Sequence, residues 1–130
     1  MKILIVDDSD PFRKSICKLI RMLNNEATTY EAQNVSEAIR MAKEVSPDAI
    51  LLDISLPDGL GFEVIETLKK QLSPPIIIIL TNYSSKQFRD KAQQKGADYF
   101  FDKSDEFEAV IDLLQMKKDI KLRTKRNPII

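Results

Sequence analysis

The chain is predicted to fold as an α/β domain, a five-stranded doubly wound parallel sheet with helices on both faces. Runs at residues 3–6, 49–52, 76–80 and 98–101 are rich in β-branched, leucine or aromatic residues and do not alternate with polar ones, the pattern of strands covered on both sides. The segments between them repeat apolar residues at helical spacing. Strands and helices therefore alternate as βαβαβαβαβα, and crossovers of that kind are right-handed and join parallel strands.

Taken in order, the 3–6 strand ends in Asp7 and Asp8. Asp10 is placed to cap the first helix, with Pro11 at its first position, where the missing N–H costs nothing. Phe12, Ile16, Leu19, Ile20 and Leu23 form its apolar face, Cys17 lies within that pattern, and Asn24-Asn25 closes it. Residues 28–32 are polar and alternating and read as an edge strand. Asn34 with Glu37 makes a capping box for the second helix, which Ser46-Pro47-Asp48 stops. The 49–52 strand runs into Asp53, and a loop over 56–61 follows. A helix from about 62 to 71 buries Phe62, Leu68 and either Val64 or Ile65. The 76–80 strand ends in Thr81-Asn82, and Ser84 or Ser85 caps a polar helix that Gly96 ends. The aromatic 98–101 strand ends in Asp102-Lys103. Ser104 then caps a last helix whose core face is Phe107, Val110, Ile111 and Leu114.

Bulk properties narrow the function. The 130 residues suit one domain, with residues 1–119 as the folded unit and 120–130 as a basic, extended or disordered tail. Net charge is zero, which disfavours bulk attraction to nucleic acid or an anionic membrane. Histidine is absent, so histidine bases, Ser-His triads and histidine metal ligands are excluded, and a bound metal must take oxygen ligands in the manner of Mg²⁺. The single Cys17 reads as an inert buried thiol and fits a reducing compartment. No signal peptide precedes the first strand and no apolar run is long enough to span a bilayer, so the chain is read as soluble and cytoplasmic.

In open parallel sheets, ligands bind beyond the carboxyl ends of the strands. Those ends carry Asp7 and Asp8, Asp53, Thr81 and Lys103. Alone, each is an ordinary strand-end or turn residue; together they supply an anionic nucleophile, carboxylates for a divalent cation, a hydroxyl and an ammonium. In-line phosphoryl transfer to a carboxylate needs that set, because its catalysis is mostly positioning and charge neutralisation.

The motifs Ile-Val-Asp-Asp at 5–8, Leu-Leu-Asp at 51–53, Leu-Pro-Asp-Gly at 56–59, Leu-Thr at 80–81 and Gly-Ala-Asp-Tyr-Phe-Phe-Asp-Lys at 96–103 occur in one order. In them the chain resembles the receiver domain of two-component response regulators, of the stand-alone chemotaxis type, over roughly residues 1–116. The resemblance implies the flavodoxin-like strand order 2-1-3-4-5. It implies that Asp53 accepts a phosphoryl group from a histidine kinase or a histidine phosphotransfer protein. Mg²⁺ would be held by Asp8 directly, by Asp7 mainly through water, by Asp53 and by the main-chain carbonyl of Ser55. Thr81, Asn82 and Lys103 would contact the phosphoryl group. Thr81 and Phe100 would form a switch acting on the face made by the fourth helix, fifth strand and fifth helix. Output would pass to a partner on that face, a homodimer being one arrangement; no membrane role is expected, and the zero net charge disfavours nucleic acid as the partner.

The chain departs from the family at three places. Ser104 stands where a proline commonly follows the lysine. A cis non-proline bond costs about 2.5–4 kcal/mol against about 0.5–1 kcal/mol for a bond to proline, so a trans Lys103–Ser104 bond is expected. Asn82 stands where a smaller residue is common and narrows access to the phosphoryl group. Phe100 lacks the hydroxyl of the commoner tyrosine; it reads as partly core, and any switch there works by packing alone. Two rival readings are a phosphorylation-independent adaptor and a Mg²⁺-dependent phosphohydrolase. Enzymes of the latter kind commonly carry a second acid two residues after the nucleophile, where this chain has Ser55.

Overall fold

The computed structural model describes residues 1–115. The expected end of the folded unit at 119 and the basic tail over 120–130 lie outside the described residues. The elements are β1 (Lys2–Val6), α1 (Asp10–Leu23), β2 (Thr28–Ala32), α2 (Val35–Val45), β3 (Ala49–Leu52), β4 (Ser55–Leu56), β5 (Gly59–Leu60), α3 (Phe62–Lys69), β6 (Ile76–Thr81), α4 (Lys86–Lys95), β7 (Tyr99–Asp102) and α5 (Phe107–Gln115).

The main sheet has the order β2-β1-β3-β6-β7 and all its pairings are parallel, which is the expected 2-1-3-4-5 arrangement. Its register places Val6 beside Ala32 and Leu52, Leu52 beside Ile79, and Ile79 beside Phe100. β1, β2 and β3 end level at Val6, Ala32 and Leu52, while β6 and β7 run two residues further, to Thr81 and Asp102, so that all the carboxyl ends lie at one edge of the sheet.

Although the strands are apolar throughout, their side chains divide by parity. Leu4, Val6, Ile50, Leu52, Ile77, Ile79 and Phe100 pack with α2, α3 and α4 on one face. Ile3, Ile5, Leu51, Ile78, Leu80, Tyr99 and Phe101 pack with α1 and α5 on the other. Each such fully buried side chain contributes about 1.5–3 kcal/mol of transfer free energy. Val64 and Ile65 are both buried, so α3 uses both rather than one of the two. On α5 the buried set includes Leu113 beside Val110 and Leu114, a position the helical count passed over.

Other boundaries differ for local reasons. Ser9, not Asp10, caps α1: its side chain accepts from the Phe12 N–H at 3.3 Å, and Pro11 falls at the second helical position. Residues 56–61 are not a plain loop, because Ser55 pairs with Leu60 and Leu56 with Gly59 in a two-stranded hairpin. α3 stops at Lys69, and Ser85 rather than Ser84 caps α4. β7 is offset by one residue, to Tyr99–Asp102, and α5 starts at Phe107 without a cap from Ser104. Asp102 takes that role in the preceding turn, accepting from the Ser104 and Asp105 N–H groups at 2.7 and 3.2 Å. Among the described residues no helix is long and apolar enough to cross a membrane.

Two positions yield measurable expectations. A Cβ at Gly61 would stand 2.9 Å from the Asp53 carbonyl oxygen and 3.2 Å from the Ile54 Cα, both backbone atoms that must move to admit it. Gly61→Ala is therefore expected to lose about 1–3 kcal/mol in urea unfolding, the usual range for overpacking. Asp98 is buried beneath the sheet's start, where its Oδ2 accepts from the Ile77 N–H at 2.8 Å and Lys69 lies at 3.8 Å. Burial pushes its carboxyl above the ordinary aspartate value, against the pull of that N–H and of Lys69. The folded state then holds this proton more tightly than the unfolded chain does, so the Asp98 term lowers stability as pH rises above the ordinary value. Asp98→Asn keeps an acceptor for Ile77 and removes the titration. Urea unfolding between about pH 4 and about pH 7 should give a flatter profile, with the variant gaining on the wild type towards the upper end.

Candidate functional site

The carboxyl-end edge of the parallel sheet makes the site. Asp7 follows β1, Asp53 follows β3, Thr81 ends β6 and Lys103 follows β7. One carboxylate oxygen from each of Asp7, Asp8 and Asp53 lies within 4.8 Å of the others; Asp7 and Asp53 are buried and Asp8 is exposed. An open crevice over them is lined by Asp7, Asp8, Ser9, Asp53, Ser55, Asn82, Tyr83 and Lys103. All the residues singled out at the strand ends therefore meet.

Asp53 is the centre of the arrangement. Its Oδ1 accepts from the Thr81 hydroxyl at 2.7 Å and from the Ser55 N–H at 3.1 Å, and its Oδ2 accepts from Lys103 at 3.2 Å. Burial pushes its carboxyl above the ordinary aspartate value; Thr81, Lys103 and the Ser55 N–H pull it back, and Asp7 adds to the rise. Lys103 also donates to Asp7 Oδ2 at 2.5 Å, and its ammonium stands 4.1 Å from the centroid of the Phe12 ring. Burial opposes the Lys103 charge, but bonds and attraction to the two carboxylates outweigh it and hold the amine above its ordinary value. Asp7 Oδ1 accepts from the Ser9 N–H at 2.9 Å, which fixes the carboxylate between turn and lysine.

The donors are oxygens only, three of them carboxylate and clustered, which suits a hard divalent cation such as Mg²⁺ rather than zinc. Ser55 lines the same crevice. The Lys103–Ser104 bond is trans, since the described residues contain no cis peptide. Asn82 is exposed at the crevice mouth. Phe100 is away from the crevice and fully buried, so it is core outright rather than in part. Arg89 lies over its ring at 4.6 Å and donates to its carbonyl at 3.1 Å.

Two supporting residues have roles that the sequence pattern did not give, although Asp58 lies within the Leu-Pro-Asp-Gly motif. Arg13, buried on α1, donates to the Asp7 carbonyl and to Glu31 Oε1 at 3.1 Å and pairs with Asp10. Asp58 on the hairpin accepts from the Val35 and Ser36 N–H groups at 2.7 and 3.1 Å, joining Asn34 at the start of α2. A helical heptad count would have flagged neither, because both bonds depend on tertiary placement.

Known proteins share this arrangement of elements. The response regulator receiver domain family model matches residues 3–115. The sensory transduction protein LytT of Bacillus subtilis (strain 168) is 33% identical over 119 residues, which cover 91% of this chain and 48% of LytT. The chain spans about half the length of the curated relatives it matches. The signal receiver domain of a DNA binding response regulator from Colwellia psychrerythraea 34H superposes with a TM-score of 0.83 at 21% identity, over 92% of this chain and 98% of that one, a likeness of fold. A two-component response regulator of the LuxR family from Aurantimonas sp. SI85-9A1 gives a TM-score of 0.79 at 27% identity, over 99% of this chain and 88% of that one. By the match over residues 3–115, and with its strand ends converging on Asp53, this chain belongs to the response regulator receiver domain family.

Proposed function

We propose that Asp53 is the phosphoacceptor of a two-component phosphorelay. The observation that carries this reading is the hydrogen bonding of Asp53: Thr81 and the Ser55 N–H on one oxygen, Lys103 on the other. A carboxylate so held is both restrained in direction and surrounded by donors for incoming phosphoryl oxygens. A carboxylate oxygen of Asp53 attacks phosphorus in the phospho-imidazole of a histidine kinase or histidine phosphotransfer protein. The P–N bond breaks, its electron pair returns to the imidazole nitrogen, and an aspartyl phosphate forms. Thr81 and Lys103 donate to the transferred oxygens, and Asn82 borders them.

Asp7, Asp8, Asp53 and the Ser55 main-chain carbonyl would hold Mg²⁺, which supplies charge neutralisation for the phosphoryl oxygens when bound. Output is read as partner binding on the face of α4, β7 and α5, with Thr81 and Phe100 as the residues that couple it to Asp53 and a homodimer as one form it takes. The domain works in the cytoplasm as a switch that assists its own phosphorylation and dephosphorylation, rather than as a turnover enzyme, and residues 1–119 form the receiver unit.

Intact-mass spectrometry after incubation with Mg²⁺ and a small phosphodonor tests this. A single phosphoryl adduct is expected, absent from Asp53→Asn and absent when Mg²⁺ is left out. An adduct that persists in Asp53→Asn, or none in the wild type, overturns the assignment.

A further inference from the structure

Two loops flank the crevice mouth, residues 82–85 after β6 and residues 103–106 after β7, and side chains tie the first loop once to the second and once to the end of β7. The Ser104 hydroxyl donates to Asn82 Oδ1 at 3.1 Å, and the Ser84 hydroxyl donates to the Asp102 carboxylate. The Ser104 main chain is held separately, its N–H bonding Asp102 Oδ1 at 2.7 Å. That bond is one a proline could not make. The hydroxyl is thus spare for another task, and it is spent on the amide of a crevice-lining residue.

An amide side chain has an acceptor on one side and two donors on the other. Beside a phosphoryl group the acceptor repels and the donors attract, so the orientation of Asn82 has a sign. We propose that Ser104 is a positioning residue for the chemistry at Asp53: by engaging Asn82 Oδ1 it turns the Asn82 NH₂ towards the phosphoryl position, where it donates beside Thr81 and Lys103. The inference rests on the reading of Asp53 as phosphoacceptor. Asn82, which by size alone narrows the mouth, becomes under this arrangement a directed donor.

Ser104→Ala isolates the effect, because the main-chain bond to Asp102 and the Ser84–Asp102 tie both remain. The readout is the rate of Asp53 phosphorylation by acetyl phosphate with Mg²⁺, followed by intact mass; the donor's P–O bond breaks, acetate leaves with its electron pair, and the aspartyl phosphate bond forms. Ser104→Ala and Asn82→Ala should each slow the reaction about fivefold, the scale of one neutral hydrogen bond. The double variant should be no slower than Asn82→Ala, and Ser104→Thr, which keeps the hydroxyl, should restore the wild-type rate. Urea midpoints of all four should coincide with the wild type. A wild-type rate in Ser104→Ala, multiplicative slowing in the double variant, or a loss that threonine does not restore overturns the positioning role while leaving Asp53 as phosphoacceptor. Absence of any adduct on the wild type overturns both.

Discussion

Two carboxylates nearly removed from water, Asp7 and Asp53, share a single ammonium, that of Lys103. The magnitudes explain why the rest of the domain is arranged around this trio. Each ion costs several kcal/mol to desolvate, while an ion pair near 4 Å returns about 4 kcal/mol at an effective dielectric constant of 20. One lysine therefore roughly offsets one acid and leaves the other to be met by hydroxyl and main-chain donors. Thr81 and the Ser55 N–H supply such donors to Asp53, and the Ser9 N–H supplies one to Asp7. The lysine in turn is braced by the Phe12 ring, so α1, β1, β3, β6 and β7 all contribute to one electrostatic balance.

The strand ends were legible because chemistry and pattern coincide there: an apolar run stops, and within two residues a polar group follows that the crevice brings together with the others. Asp7, Asp53, Thr81 and Lys103 were all found that way. What escaped has a common physical origin in contacts between elements distant along the chain. Asp58 caps a helix more than twenty residues before it and Arg13 on α1 reaches Glu31 on β2. Asp98 sits buried against the Ile77 N–H. Ser9 was passed over for Asp10 because both are good caps and only the turn geometry distinguishes them. Ser104 was read as a helix cap on the same propensity, whereas Asp102 already occupies the turn's N–H groups and frees the serine hydroxyl to face Asn82.

The hairpin after Asp53 shows how a short irregular segment is made stiff. Its strands are two residues each, too short to be stable alone. Asp58 fastens its tip to the start of α2, where the Val35 and Ser36 N–H groups hold the carboxyl below its usual range. The Gly61 N–H bonds the Ile54 carbonyl at 2.7 Å, closing the base of the hairpin directly behind Asp53. Because the Gly61 Cα leaves no room for a methyl group against the Asp53 carbonyl, the Asp53 backbone is packed from behind while its carboxylate is bonded from in front.

Arg89 joins three elements with one planar group. It covers the Phe100 ring, bonds the Phe100 carbonyl and lies 3.6 Å from Glu106, whose carboxylate in turn accepts from the Asp102 N–H at 2.9 Å. The Phe100 ring, the Phe100 carbonyl and the Glu106 carboxylate all meet the same guanidinium at the entry of α5. The end of the last strand, the fourth helix and the approach to the fifth are thereby joined through one side chain, as spokes meet at a hub.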